Sequence, residues 1–297
     1  NSTSFRNTVM IIITLQAFAG LWINAFIVSV LCISWFKKRS FNSVEKILLF
    51  LGCSRFCFLC ISWICSFLSM NYSWCNFVQP IPQLLVATQN FFEASNLWVS
   101  ACLCGFYCIK IANFRHTFFT YMKVKIDRIV PWLFLGSVLL SLVISILFYD
   151  IKGKVLYISC NSTTREDLLK LRVGMDEHFL PIFVTIGFIF STAFMVVLFS
   201  ALLLLFSLWR HKSNMQTNSM KNLSVDAHIR AMKFILLFLL IYGINFTRLI
   251  LRLIYNSNRD DPVKFVILVF QYIFPTVHSL ILILNNPKLE KTWLRTL

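Results

Sequence analysis

The sequence predicts an all-α membrane protein. It is a bundle of seven transmembrane helices, with the N-terminus extracellular, the C-terminus cytoplasmic and a short amphipathic helix at the C-terminal end. Three observations predict this. Of the 297 residues, 58% are apolar and 13% charged, and that charged share is about half the usual one in soluble domains. So much apolar side chain, with Phe alone occurring 31 times, exceeds what a water-soluble fold of this size can hide. Seven apolar runs each reach the length of about 20 residues that a helix needs to cross the hydrocarbon. The net charge of +16, from 28 Lys and Arg against 12 Asp and Glu, is gathered into alternate loops. These facts exclude a soluble enzyme, a disordered chain and a nucleic-acid-binding domain. They define a single domain over 1–297.

The first span covers 8–36 and carries Asn24. It is too long for the apolar core of a secretory leader and has no small-residue cleavage site after it, so it reads as a retained helix. Lys37, Lys38, Arg39 and Lys46 follow. The second span, 46–70, contains Arg55 near its middle, and the loop over 71–79 has no Lys or Arg. The third, 80–111, holds Glu93 and ends on Lys110, with Arg115, Lys123, Lys125 and Arg128 beyond it. The fourth span is 130–149, and the long loop after it balances its charges. The fifth, 179–208, leads into Arg210, Lys212, Lys221, Arg230 and Lys233. The sixth is 231–255, after which Arg259 and Lys264 are offset by Asp260 and Asp261. The seventh is 263–284. The tail over 286–297 carries Lys288, Lys291 and Arg295. Leu289, Trp293 and Leu297 recur at spacing four there, which reads as an amphipathic helix on the inner membrane surface. Basic residues thus collect in the odd-numbered loops and the tail, which places those on the cytoplasmic side. Alternating strand patterns are absent, which argues against a β-barrel.

The sequon Asn161-Ser162-Thr163 falls in the fourth loop, on the outside, and is a glycosylation acceptor at Asn161. Eight of the ten cysteines lie in spans and read as small packing residues. Cys75 and Cys160 lie in outside loops, where the setting is oxidising. A bridge between them and a pair of free thiols both stay open, because sequence supplies no geometry. No Cys/His cluster has metal-ligand spacing, and no cofactor is expected.

Several motifs then recur in order. The third span ends in the run from Phe106 through Tyr107, Lys110 and Asn113 to Phe114, and the loop continues from Met122 to Ile126. Leu208-Trp209-Arg210-His211, followed by Met215, closes the fifth span, and the sixth opens on the run from Asp226 through His228 to Lys233. The seventh ends with the run from His278-Ser279 to Leu289. With Ser54-Arg55 and Asn24, these closely resemble the type 2 (bitter) taste receptors, from about Asn24 to Leu289. The Asp-Arg-Tyr and Asn-Pro-x-x-Tyr signatures of rhodopsin-like receptors are absent. Vomeronasal type 1 pheromone receptors are the nearest competing family. The resemblance implies a G-protein-coupled receptor of the plasma membrane. It would bind small bitter or xenobiotic agonists in the outer half of the bundle and activate a heterotrimeric G protein of the gustducin or inhibitory class. The chain departs from the family where Gln89 replaces a frequent Trp, Asn245 a frequent aromatic residue, Leu268 an acidic residue of some members, and Ala193 a frequent Pro.

Charged groups in hydrocarbon are costly and mark function or structure. Arg55 is expected to meet Asn24 and the His278–Ser279 region in a polar hub that repacks on activation. Glu93 lies 17 residues before Lys110, so about 25 Å separates them along the helix. Gln89 and Asn90 share the Glu93 face, Asn245, Arg248 and Arg252 form a stripe on the sixth helix, and Gln271 adds a polar group on the seventh. These seven are the candidate ligand-binding residues, with Glu93 and Arg248 either orienting a ligand or pairing with each other. Arg252 either joins them or snorkels to the interface. Tyr107, Lys110, Lys123, Lys125, His211, His228 and Lys233 form a basic rim that would receive a G-protein α-subunit and would also touch phospholipid headgroups. A transporter or channel would want broken helices or a file of charges through the bundle. An enzyme would want paired carboxylates, metal ligands or a nucleophile elbow. Neither pattern is present.

Overall fold

The computed structural model describes residues 2–72, 77–112, 117–161, 165–217, 222–254 and 262–296. Side chains are described for 4–37, 39–72, 77–112, 117, 119–157, 180–210, 229–253 and 263–296. Among these residues there is no strand. The elements are α1 (Ser2–Lys38), α2 (Ser43–Asn71), α3 (Ile81–Ile111), α4 (Thr117–Asn161), α5 (Arg165–Thr217), α6 (Asn222–Ile254), α7 (Pro262–Asn285) and α8 (Pro287–Thr296). Among the described residues, seven helices are long and apolar enough to span a membrane, as the apolar runs predict.

Several helices continue beyond those runs. Where hydropathy places a loop over 150–178, α4 instead runs to Asn161 and α5 starts at Arg165; at its other end α5 reaches Thr217. Hydropathy reports only what partitions into hydrocarbon, whereas a helix can continue into water on paired charges. Asp150 and Lys154 make such an i,i+4 pair at 2.8 Å.

Local chemistry sets the ends. After α1, Arg39 takes the left-handed conformation with φ 51°, and its N–H bonds the Trp35 carbonyl at 2.6 Å. At the start of α2 the Asn42 N–H donates to Glu45 Oε2 at 3.1 Å, reaching back as in a capping box. The Asn286 side chain caps α8 by accepting the Lys288 N–H at 3.1 Å. Pro287 follows it at the first helical position, where a missing N–H costs nothing.

α3 is the central strut. It packs on α2, α4 and α5, and 61% of its span is buried, against 28% or less for α1, α4, α5 and α6. That burial explains how one helix can carry Gln89, Asn90, Glu93, Ser95, Asn96 and Ser100 inside a membrane protein. The outer helices turn Phe18, Trp22, Trp132, Phe188 and Phe199 outward, as lipid-facing surfaces do. α8 does not simply lie on a membrane surface. Leu289 is fully buried against the bundle, and Trp293 meets Phe26 edge to face at 4.9 Å. Leu297 lies outside the described residues.

α1 packs on both α2 and α7, and at Gly20 it is pressed against side chains of both. A Cβ there would sit 2.5 Å from Thr276 Oγ1 and 2.7 Å from Leu59 Cδ1. Thr276 cannot easily yield, because its hydroxyl is bonded to the Tyr272 carbonyl at 2.8 Å. Gly20→Ala should therefore destabilise by about 1–3 kcal/mol through overpacking. Gly136→Ala, where an added Cβ meets nothing within 4 Å, should be neutral or mildly stabilising. Melting temperatures of the two purified variants check both.

Candidate functional site

Two buried polar clusters sit along α3. In the first, Glu93 is 6% exposed and Arg248 4% exposed. The Arg248 Nη2 donates to Glu93 Oε1 and the Arg252 Nη1 to Glu93 Oε2. Arg248 Nε also donates to Asn245 Oδ1 at 3.1 Å. Spacings of three and four put Asn245, Arg248 and Arg252 on one edge of α6, and α3 presents the carboxylate to that edge. Of the two arrangements open to Glu93 and Arg248, pairing with each other is the one seen here, and Arg252 joins them. Gln89 and Asn90 are buried on α3 and Gln271 on α7. The Asn90 Nδ2 bonds the Val86 carbonyl at 2.7 Å, so part of its amide is satisfied within its own helix. Beside the cluster, between α5, α6 and α7, lies an open cavity of about 760 Å³ lined by Phe194, Leu239, Phe246, Arg248, Ile267 and Phe270 on its inner side, and opening outward between the exposed Leu236, Leu240, Ile244 and Val266. Arg248 is the one candidate ligand residue among those lining it.

The second cluster surrounds Arg55, which is fully buried. Its Nη1 donates to Ser279 Oγ at 2.9 Å. Its Nη2 donates to Ser100 Oγ at 3.1 Å and meets His278 Nδ1 at 2.7 Å. A guanidinium only donates, so Nδ1 is the acceptor. Ser279 Oγ in turn donates to Asn24 Oδ1 at 2.7 Å, and Asn24 Nδ2 donates to the Gly20 carbonyl at 2.8 Å. One side chain of α2 thereby gathers α3 and α7 directly and α1 through Ser279. The structure brings Asn24, Arg55, His278 and Ser279 together, and Ser100 with them.

A chain of contacts runs between the clusters. Ser100 lies seven residues after Glu93, two turns along the same face of α3. Between them Tyr242 of α6 donates to the Leu97 carbonyl at 3.0 Å. Tyr242 also contacts Phe274 at 6.2 Å, and Phe274 contacts His278 at 5.4 Å. Phe194 stacks on Phe246 at 4.5 Å, beside the cavity. Sequence reasoning singled out neither Ser100 nor Tyr242, although the two-turn spacing from Glu93 marks Ser100. Tyr242→Phe keeps the ring and deletes one buried hydrogen bond, so it should cost about 1 kcal/mol. A thermal melt checks that value.

A family model described as Taste receptor protein (TAS2R) matches residues 2–297. The chain belongs to the TAS2R taste receptor family. It is similar to taste receptor type 2 member 9 of Papio hamadryas, at 32% identity over 97% of this chain and 92% of that protein. It is likewise similar to member 41 of Rattus norvegicus, at 31% identity over 96% and 93% of the two chains. Member 7 of Macaca mulatta is 32% identical over 94% and 88%. The TAS2R proteins are taste receptors of the G-protein-coupled class, not enzymes, and this chain is accordingly a multi-pass protein of the plasma membrane. Membership decides against the vomeronasal alternative.

At the α8 end of this TAS2R bundle the basic rim is braced by carboxylates. Lys110 Nζ pairs with Asp127 Oδ2 at 2.6 Å, and Ser43 Oγ donates to the same carboxylate at 2.7 Å, so α2, α3 and α4 meet at one acid. Arg230 of α6 pairs with Glu290 of α8, and Lys288 reaches Glu45 of α2 at 2.8 Å. Lys125 Nζ contacts the Tyr121 hydroxyl at 2.5 Å. Lys123 and Lys233 are exposed, and Tyr107 is partly buried against the core. The Lys110–Asp127 pair is exposed on both sides and is worth little stability, so it can exchange partners cheaply, whereas Glu45 is buried. Cys75 and the side chains of Cys160, Asn161, His211 and His228 lie outside the described residues. The eight span cysteines are free thiols.

Proposed function

We propose that this receptor binds small, largely apolar agonists of the bitter or xenobiotic kind in the half of the bundle away from α8. It then activates a heterotrimeric G protein of the gustducin or inhibitory class at the α8 end. The N-terminus is outside and the α8 end cytoplasmic, a placement supported by the Lys and Arg of the odd-numbered loops. Asn161 carries the glycan. Cys75 and Cys160 share the outside face. One observation carries the reading: the Glu93 cluster and the Arg55 network lie on one face of α3, two turns apart, with Tyr242 between them.

An agonist that engages Glu93, Arg248 or Arg252, with Gln89, Asn90, Asn245 and Gln271 nearby, competes with the α3–α6 ion pair. Shifting α6 against α3 strains the Tyr242 bond and repacks Phe274 and His278 around Arg55. The same shift draws Arg230 from Glu290 and opens the rim of Tyr107, Lys110, Lys123, Lys125, His211, His228 and Lys233 to the α-subunit. Headgroups of membrane lipid occupy that rim otherwise. The mechanism is population shift. Moving the equilibrium from 1:99 to 99:1 takes about 5.5 kcal/mol of differential affinity.

The test is nucleotide exchange on a purified gustducin-class trimer by receptor in nanodiscs, driven by hits from a compound screen with a calcium readout. Agonist-dependent exchange supports the reading. Solute flux without exchange would overturn it in favour of a transporter.

A further inference from the structure

The Glu93 cluster holds two guanidinium groups against one carboxylate, and no other acid of the described residues pairs with it. The unspent capacity sits on Arg248. Its Nη2 and Nε are engaged, but its buried Nη1 has no hydrogen-bond partner. A buried donor without an acceptor is a standing cost, and a charged one more so. The place is therefore short of an acceptor and of negative charge.

Arg248 is also the one charged residue lining the cavity between α5, α6 and α7. The rest of the lining is apolar except for Thr247, and the volume of about 760 Å³ suits a small organic molecule. Arg252, 27% exposed, adds a second cation one turn further along α6. We propose that this is a binding site for an amphipathic organic monoanion, a free carboxylate or sulfonate on an aromatic or alicyclic body. The body fills the cavity and the head accepts from Arg248 Nη1, so that the cluster becomes two anions against two cations. The proposal rests on the small-molecule reading above and specifies its ligand class. The cavity opens toward the lipid-facing side of α6 and α7, so a bilayer phospholipid is the competing occupant that the experiment separates.

The experiment uses the full chain in phosphatidylcholine nanodiscs. It is titrated with matched pairs of aryl and alicyclic compounds, each carboxylate or sulfonate beside its carboxamide or sulfonamide. Binding is read from the melting temperature, and signalling from nucleotide exchange. At least one anion should bind about 10- to 100-fold more tightly than its amide, the range for a charged hydrogen bond. Arg248→Gln should erase that preference, and Arg248→Lys should keep part of it. Arg248→Gln leaves Glu93 paired with Arg252, and the matched pairs on the unaltered chain decide the matter even if the variant fails to fold. Amides binding as well as anions, no anion binding at all, or the whole shift reproduced by adding phosphatidylglycerol would each overturn the proposal. Anion-selective binding without exchange by any compound would retain this site and sink the receptor reading. Exchange driven by neutral compounds alone would do the reverse.

Discussion

Arg55→Leu removes agonist-driven nucleotide exchange from a receptor that still reaches the membrane. The substitution deletes the donors to Ser279, Ser100 and His278, three contacts that tie α2 to α3 and α7. Hydrogen bonds from a charged group are worth about 1.5–3 kcal/mol each. A leucine also removes the cost of holding a cation in an apolar interior. The two effects oppose one another in stability, so folding changes less than signalling does. Signalling depends instead on the network having two arrangements, and leucine has none to offer. Loss of a coupling of about 1–3 kcal/mol would lower agonist potency roughly 5- to 150-fold, and loss of all three contacts should leave no measurable response. Arg55→Lys keeps the charge but not the planar fork, so it should restore a small part. Surface expression measured beside exchange separates the two effects. An unchanged response from normally trafficked Arg55→Leu receptor would refute the hub.

How much of this was legible in the sequence follows from what each signal measures. Hydropathy marks seven spans because partitioning into hydrocarbon depends on composition alone. It misses the extension of α4 to Asn161 and the start of α5 at Arg165, since a helix in water is held by pairs such as Asp150–Lys154. Arg55 and Glu93 stand out because a charge in a span has few excuses. Ser100 and Tyr242 do not, because a hydroxyl in a helix can satisfy itself locally and needs no distant partner. Counting basic residues gives a rim but not its braces. Lys110 and Asp127 are 17 residues apart, and only the contact of α3 with α4 brings them together. The cavity was invisible for a related reason. Much of its lining on α6 and α7, such as Leu236, Leu240 and Val266, is itself exposed apolar surface, and Arg248 is its one charge.

The Glu93 cluster should show the largest stability effect, and it should be non-additive. Glu93→Gln leaves Arg248 and Arg252 as two buried or half-buried cations facing each other across a neutral amide. Removing one partner of a buried ion pair typically costs about 3–5 kcal/mol. Most of that is the penalty on the charge left behind, not the worth of the lost contact. The triple variant Glu93→Gln, Arg248→Gln, Arg252→Gln removes every charge at once and should recover most of the loss. Buried ion pairs replaced as a unit are often near neutral in stability. Melting curves of the single and triple variants, with surface expression as a control, measure the coupling. If the triple variant is as unstable as the sum of its parts, the three side chains do not act as one electrostatic unit. If the triple variant recovers, the energy of the cluster lies in its charge balance, and a compound that changes the balance changes how α6 sits on α3.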